Sequence, residues 1–181
     1  MKIKALLFVL LGFMLATPAM AEFYVSGGVG VVKNTGDIHK GLSKEDYHNS
    51  PIYSLAFGYD LPIVNAFRAE GEILHNRAKI SGGKGYVDLN ALMANAYLDI
   101  TLFPGILTPY VGVGLGYGRL ESTHVLPMQL MLGVDVADIS PLPITASAEY
   151  RFLKTNTEAK KATERDNYYG HVLMLKLRYE I

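Results

Sequence analysis

The sequence predicts an all-β fold, an eight-stranded antiparallel up-and-down barrel, and three observations carry that prediction. Apolar and polar residues alternate at period two in eight separate stretches, as in strands that have one apolar face. The connections between these stretches alternate between polar segments and short ones that hold most of the prolines. No stretch keeps a helical period. The longest charge-free run, Ile100 to Gly118, contains Pro104, Pro109 and five glycines, and these cost a helix about 3 and about 1 kcal/mol each.

Composition sets the outer bounds. The chain has 181 residues, 50% of them apolar and 19% charged, too hydrophobic for a disordered chain and long enough for one domain. Its 17 basic and 17 acidic residues cancel, which argues against a nucleic-acid footprint. The lack of cysteine excludes disulfides, thiol nucleophiles and zinc-ribbon or iron–sulfur sites.

Met1 to Ala21 is expected to be a cleaved signal peptide, leaving 22–181 as the barrel domain. Lys2 and Lys4 precede an apolar stretch from Ala5 to Ala16, and Ala19-Met20-Ala21 is a small-x-small cleavage site. The apolar stretch is too short for a membrane helix, which needs about 20 residues.

The strands follow in order. Phe23, Val25, Gly27, Val29 and Val31 share a face of the first, and Tyr53, Leu55, Phe57, Tyr59 and Leu61 a face of the second. Phe67, Ala69, Gly71 and Ile73 mark the third, and Leu92, Ala94, Ala96, Leu98 and Ile100 the fourth. In the fifth, Gly112, Gly114, Gly116 and Gly118 alternate with Val111, Val113, Leu115 and Tyr117. Met128 to Val136 forms the sixth, Ile144 to Phe152 the seventh, and Tyr169 to Ile181 the eighth. Asn34 to Pro51, Ala78 to Tyr86, Glu121 to His124 and Lys154 to Asn167 lie at one end. Pro62 to Ala66, Thr101 to Thr108 and Ala137 to Pro143 lie at the other, with a single charge among them. Longer polar loops at one end and short turns at the other are the asymmetry of a barrel that spans an outer membrane.

Three features place the apolar face outward, toward lipid. The polar face carries mid-strand charges of both signs: Arg68, Glu70, Glu72, Asp99, Asp135, Glu149, Arg151, Lys176, Arg178 and Glu180. It also carries the glycine file, whose small volume suits a narrow interior and is expected to admit arginine and lysine side chains. Aromatics of the apolar face gather near two rims: Phe23, Tyr59, Phe67 and Tyr179 at the turn end, and Tyr53, Tyr117, Tyr150, Phe152 and Tyr169 at the loop end. Two girdles around an aliphatic band match membrane interfaces. The interior is therefore expected to be polar, with Glu149 and Arg151 pairing with Lys176 and Arg178 on the adjacent strand.

Four segments carry a family resemblance: Phe67-Arg68-Ala69-Glu70-Gly71-Glu72, Met93 to Asp99, Pro109 to Gly116, and Glu149-Tyr150-Arg151-Phe152. In this order they resemble strands three, four, five and seven of the opacity-protein and OmpA/OmpX-like outer-membrane barrels. The resemblance spans Glu22 to Ile181. It implies residence in a Gram-negative outer membrane, contact with lipid and lipopolysaccharide, and assembly by machinery that reads the C-terminal strand. It also implies surface loops in a structural, adhesive or antigenic role, with host surface molecules as partners. The chain departs from the family by ending Tyr179-Glu180-Ile181, where a terminal phenylalanine is usual.

An eight-stranded interior is just wide enough for side chains to fill, so a large pore is not expected. No cofactor, metal or catalytic residue is assigned. The alternative is a lipid A-modifying enzyme of the deacylase kind, which would need a histidine, a serine and a carboxylate near the outer leaflet. Its candidates are His48 and Ser50 in the first loop, and His124 and His171 near the same rim, with Glu121 and Ser122 beside His124. Gly82-Gly83-Lys84-Gly85 lacks the strand–loop–helix context of a phosphate loop, and Glu158 to Asp166 reads as a solvated loop tip.

Overall fold

A computed structural model describes residues 23–34, 49–61, 66–79, 86–100, 107–120, 123–136, 143–157 and 167–181. The proposed signal peptide and most loop residues, including His48, Glu121, Ser122 and the Glu158 to Asp166 tip, lie outside them. The strands are β1 (Phe23–Asn34), β2 (Ser50–Asp60), β3 (Phe67–Lys79), β4 (Tyr86–Asp99), β5 (Leu107–Leu120), β6 (Thr123–Val136), β7 (Ile144–Thr157) and β8 (Asn167–Glu180). Each pairs antiparallel with the next, and β8 pairs with β1, so the sheet closes into a barrel. Closure leaves no unpaired edge, the condition for a sheet to cross a bilayer. Strands of 11 to 14 residues are long enough, since about 9–11 tilted residues span the hydrocarbon.

Several strands begin earlier or end later than their apolar alternation suggested. β3 runs to Lys79, β4 starts at Tyr86, and β7 runs to Thr157. The largest difference is β6, which starts at Thr123 and passes through Pro127. Leu120 pairs with Thr123 and Arg119 with His124, so the expected Glu121 to His124 loop contracts to residues 121–122. The ladder pays for Pro127 locally: pairing between β5 and β6 runs through Leu115↔Met128, skips two positions, and resumes at Gly118↔Val125 in the same register. Proline has no N–H to give to the ladder, so the gap falls where its bond would be. At the turn end the backbone is knitted by Leu61 N–H to Phe67 O at 2.9 Å, Ile100 N–H to Pro109 O at 2.7 Å, and Ile181 N–H to Phe23 O at 2.8 Å.

The faces divide as the alternation required. Leu55, Leu92, Leu115, Leu173 and Leu175 all face outward, each more than 60% exposed. The mid-strand charges face inward, Glu72 and Arg151 at 0%.

The interior is not polar throughout. Val32, Ile52, Leu74, Leu89, Leu120, Val125, Leu153 and Val172, one from each strand, pack together near the loop end, with Met93 and Met174 beneath them. All but Leu120 are buried. The expected polar, charged interior is present below this layer, and the apolar layer is the part that expectation lacked. The alternation that marks the strands comes mostly from the outer face, so an inner apolar residue between two outer ones reads only as a break in pattern.

Candidate functional site: a filled lumen and a charged outer rim

Below the apolar layer the lumen holds three linked ionic clusters. In the middle, Arg151 on β7 reaches across to Glu72 on β3 at 2.8 Å, bonds Gln129 Oε1 at 3.3 Å, and pairs with Glu149 on its own strand. Glu72 also accepts from Asn95 Nδ2 at 2.8 Å and Gln129 Nε2 at 3.1 Å, and Glu149 accepts from the Tyr110 hydroxyl at 2.9 Å. Beside it, Glu70 gathers Lys176 Nζ at 3.2 Å together with Tyr97 and Tyr24 hydroxyls at 3.2 and 3.3 Å. Toward the turn end, Arg68 pairs with Asp99 at 2.7 Å and Asp135 at 3.4 Å, its guanidinium about 5 Å from the centres of both the Tyr97 and Tyr110 rings. Arg178 bridges Asp135 at 3.1 Å and Glu180 at 2.7 Å.

These contacts bring together all ten charges singled out from the sequence, but with different partners than expected. Neither Glu149 nor Arg151 pairs with Lys176 or Arg178. Lys176 is registered opposite Ser147, and Arg178 opposite Thr145, so each lies below Glu149 along the barrel. In so narrow a lumen long side chains reach the opposite wall, and the pairs Arg151–Glu72, Lys176–Glu70 and Arg68–Asp135 all cross between non-adjacent strands. Sequence reasoning also missed Asp60, Asn95, Gln129 and the three inward tyrosines. Their parity with known inner residues was the available signal: Tyr97 stands two positions from Asp99.

The glycine file serves a different guest than expected. A Cβ at Gly112 would stand 2.6 Å from the Tyr97 ring, and one at Gly114 would strike the Asn95 carboxamide. At Gly116 it would strike the backbone of Leu92 and the Met93 sulfur. No arginine or lysine is among the nearest atoms at any of the four. Gly58 and Gly133 do the same for the Tyr24 and Tyr110 rings. In each tyrosine case the glycine is the directly paired residue: Tyr24↔Gly58, Tyr97↔Gly112 and Tyr110↔Gly133. A ring laid over the backbone of its paired glycine fills the space the missing side chain leaves and shields that stretch of ladder.

On the outer wall, the sequence-assigned aromatics all point away from the lumen. Phe23 packs on Tyr59 with ring centres 5.0 Å apart, and Phe67 and Tyr179 are exposed at the same end. At the loop end Phe152 stacks with Tyr169 at 6.0 Å, and Tyr53 and Tyr117 are exposed. Tyr150 sits nearer the middle of its strand, its hydroxyl reaching His171 Nδ1 at 2.5 Å. Tyr86, also at the loop end, was missed; its exposed ring lies 4.4 Å from the Arg77 guanidinium.

The histidines considered for hydrolysis have other company. His124 Nδ1 lies 2.6 Å from the Tyr117 hydroxyl and its ring stacks on that tyrosine, as His171 meets Tyr150. Ser50 faces inward and accepts from Asn76 Nδ2 at 3.0 Å. Among the described residues neither histidine has a serine or carboxylate within hydrogen-bond reach.

Comparison with known proteins agrees with this architecture. No curated protein matches the chain by sequence. Among solved structures, Neisserial surface protein A (NspA) superposes with a TM-score of 0.69 at 17% identity, over 90% of this chain and 100% of that one. Ail, the attachment invasion locus protein of Yersinia pestis, gives 0.53 at 16% identity, over 90% of this chain and 100% of its own. Ail in complex with the heparin analogue sucrose octasulfate gives 0.51 at 18%, with the same coverage. The outer membrane protein beta-barrel domain matches residues 5–180. With that match running nearly end to end over a closed, outwardly apolar eight-stranded barrel, the chain belongs to the outer-membrane β-barrel protein family.

Proposed function

We propose that this protein is a plugged, non-enzymatic barrel that acts at the cell surface through its loops, as an adhesin or surface antigen. The filled lumen carries this reading. An apolar layer drawn from all eight strands sits above three ionic clusters, so side chains occupy the axis among the described residues. A barrel plugged in this way has its loops and outer wall left to work with. Likeness to Ail, named for attachment and invasion and bound in one structure to a heparin analogue, supports loops that contact host surface molecules.

The same proposal includes cleavage of Met1 to Ala21, insertion with the longer connections outside, and assembly through the β8 strand. Outward Leu173, Leu175, Leu177 and Tyr179 on that strand lead to Ile181 just beyond its end, a continuous apolar stripe of the kind assembly machinery would meet.

The test is host-cell binding by bacteria expressing wild type or loop-deleted variants, paired with planar-bilayer recordings. Binding that falls with loop deletion, and no resolvable conductance, is expected. Sustained single-channel conductance would overturn the plugged reading. Protease added to intact cells should cut within Asn34 to Pro51 or Lys154 to Asn167; cleavage only after permeabilisation would invert the topology. Acyl loss or gain in lipopolysaccharide incubated with the purified protein would overturn the non-enzymatic reading.

A further inference from the structure

We infer that this barrel pairs with a second copy of itself through the outer wall, in a two-fold dimer centred on Gly27 and Leu55, with Arg77 and Asp88 above them. The inference goes beyond the loop role proposed above and holds whichever end faces the cell exterior.

Gly27 makes a hole in the wall. It points outward from β1, and a Cβ there would meet no atom within 4 Å. Val25 and Val29 on its own strand, Leu55 on β2 and Leu177 on β8 frame it, all exposed. Leu55 is the direct cross-strand partner of Gly27, so a knob stands about 5 Å from the hole. A surface with a knob beside a hole fits a second copy of itself. A two-fold axis parallel to the barrel axis and passing between the two seats each Leu55 over the partner's Gly27. In lipid this fit decides association, because apolar contact alone gains nothing over acyl chains.

Charge repeats the pattern nearer the loop end. Arg77 and Asp88 are direct partners on β3 and β4, a cation beside an anion. Their 3.5 Å contact is long for a charge-assisted bond, and the side chains are 56% and 42% exposed, so each keeps room for a second partner. Tyr86 lies against the guanidinium, 4.4 Å from it to the ring centre, and holds it on the wall. Asp88 is the one acid on an outward strand position among the described residues. Elsewhere on the described outer rim the charges are Lys33, Arg119 and Lys154, which would repel their own copies.

Strand tilt brings the charged pair over the hole. Four residues along a strand tilted about 40° move about 8 Å sideways, and Arg77 stands four residues beyond Ile73, the partner of Leu55. The lean runs toward β1 and β8. Pro51 and Tyr53, from the loop end of β2, share one hollow of the wall with Val29 of β1 and Ala148 of β7. One axis therefore sets Arg77 against the partner's Asp88 twice, as it sets Leu55 against the partner's Gly27 twice.

The full chain is folded in detergent micelles, checked for its heat-dependent mobility shift, and followed across a concentration series by native mass spectrometry. Wild type should give a concentration-dependent dimer. Arg77→Asp and Asp88→Arg should each weaken it about tenfold, because like charges then face each other at both contacts. Mixing the two variants should restore dimers that hold one chain of each, since both contacts are again opposite in charge. That recovery is independent of the in-chain pair, which is broken in both variants. Gly27→Leu should fold normally, having open space on its own wall, and lose the dimer. Val113→Leu, a comparable outward enlargement on β5, should keep it. A wild type that stays monomeric at every concentration overturns the inference and means that lipid alone covers this wall. A dimer indifferent to Gly27→Leu, or one that mixing fails to restore, overturns it as well. Host-cell binding by loop-deleted variants is a separate measurement, so either proposal can fail alone.

Discussion

Arg151 is the side chain on which the filled lumen depends most directly, and Arg151→Met measures that dependence. Its guanidinium is fully buried, and it bonds Glu72 at 2.8 Å and Gln129 at 3.3 Å while pairing with Glu149. Methionine roughly keeps the stem but leaves two carboxylates, both at most 2% exposed, without their cation. Asn95 at 2.8 Å, Gln129 at 3.1 Å and Tyr110 at 2.9 Å continue to donate to those carboxylates, which limits the damage. Breaking a buried pair from one side costs about 3–5 kcal/mol. With two acids stranded but three neutral donors retained, the loss should fall in the upper part of that range. Adding Glu72→Gln removes one stranded charge and should restore about half. The assay is urea unfolding in detergent or lipid, read by the mobility difference between heated and unheated samples. A cost below about 1 kcal/mol for Arg151→Met, or no recovery in the double variant, would refute the assignment of Arg151 as the counterion of both acids.

Val113 is 56% exposed at the middle of β5, and Val113→Arg should cost about 2–4 kcal/mol and impair insertion, measured by folding yield into lipid vesicles. Its neighbour Gly114 faces the lumen, where a side chain would strike the Asn95 carboxamide. Gly114→Ser should therefore destabilise by about 1–3 kcal/mol despite its polarity, by the same unfolding measurement. Ile52 is fully buried in the apolar layer, and Ile52→Ala should cost about 2–5 kcal/mol. A cost near zero there would mean that the layer is loosely packed.

Much of the architecture was legible because a transmembrane barrel exposes its pattern to the solvent it lives in. Lipid demands apolar residues at every second position, so Leu173, Leu175 and Leu177 announce β8 without any knowledge of neighbours. Strand count, strand order and the outward face followed from that local alternation, and so did membership of the inner wall for each of the ten charges. Strand ends were less legible, because near the loops both faces carry apolar residues: Leu153 continues β7 inward where an alternation count stops at Phe152.

What the sequence by itself determined about this protein is the closed, outwardly apolar barrel and the parity of every residue on it. Partnership across the lumen was decided only by the tertiary structure. Arg151 and Glu72 are 79 residues apart, and their bond depends on how far each strand is staggered around the ring and on the width that closure imposes. The same holds for the tyrosines that lie over Gly58, Gly112 and Gly133, and for the meeting of Lys33 with His171 where the first strand closes on the last. Alternation is a property of one strand and can be read from it. A contact across a closed barrel is a property of the register of all the strands together, which the curvature and shear of the closed sheet settle at once.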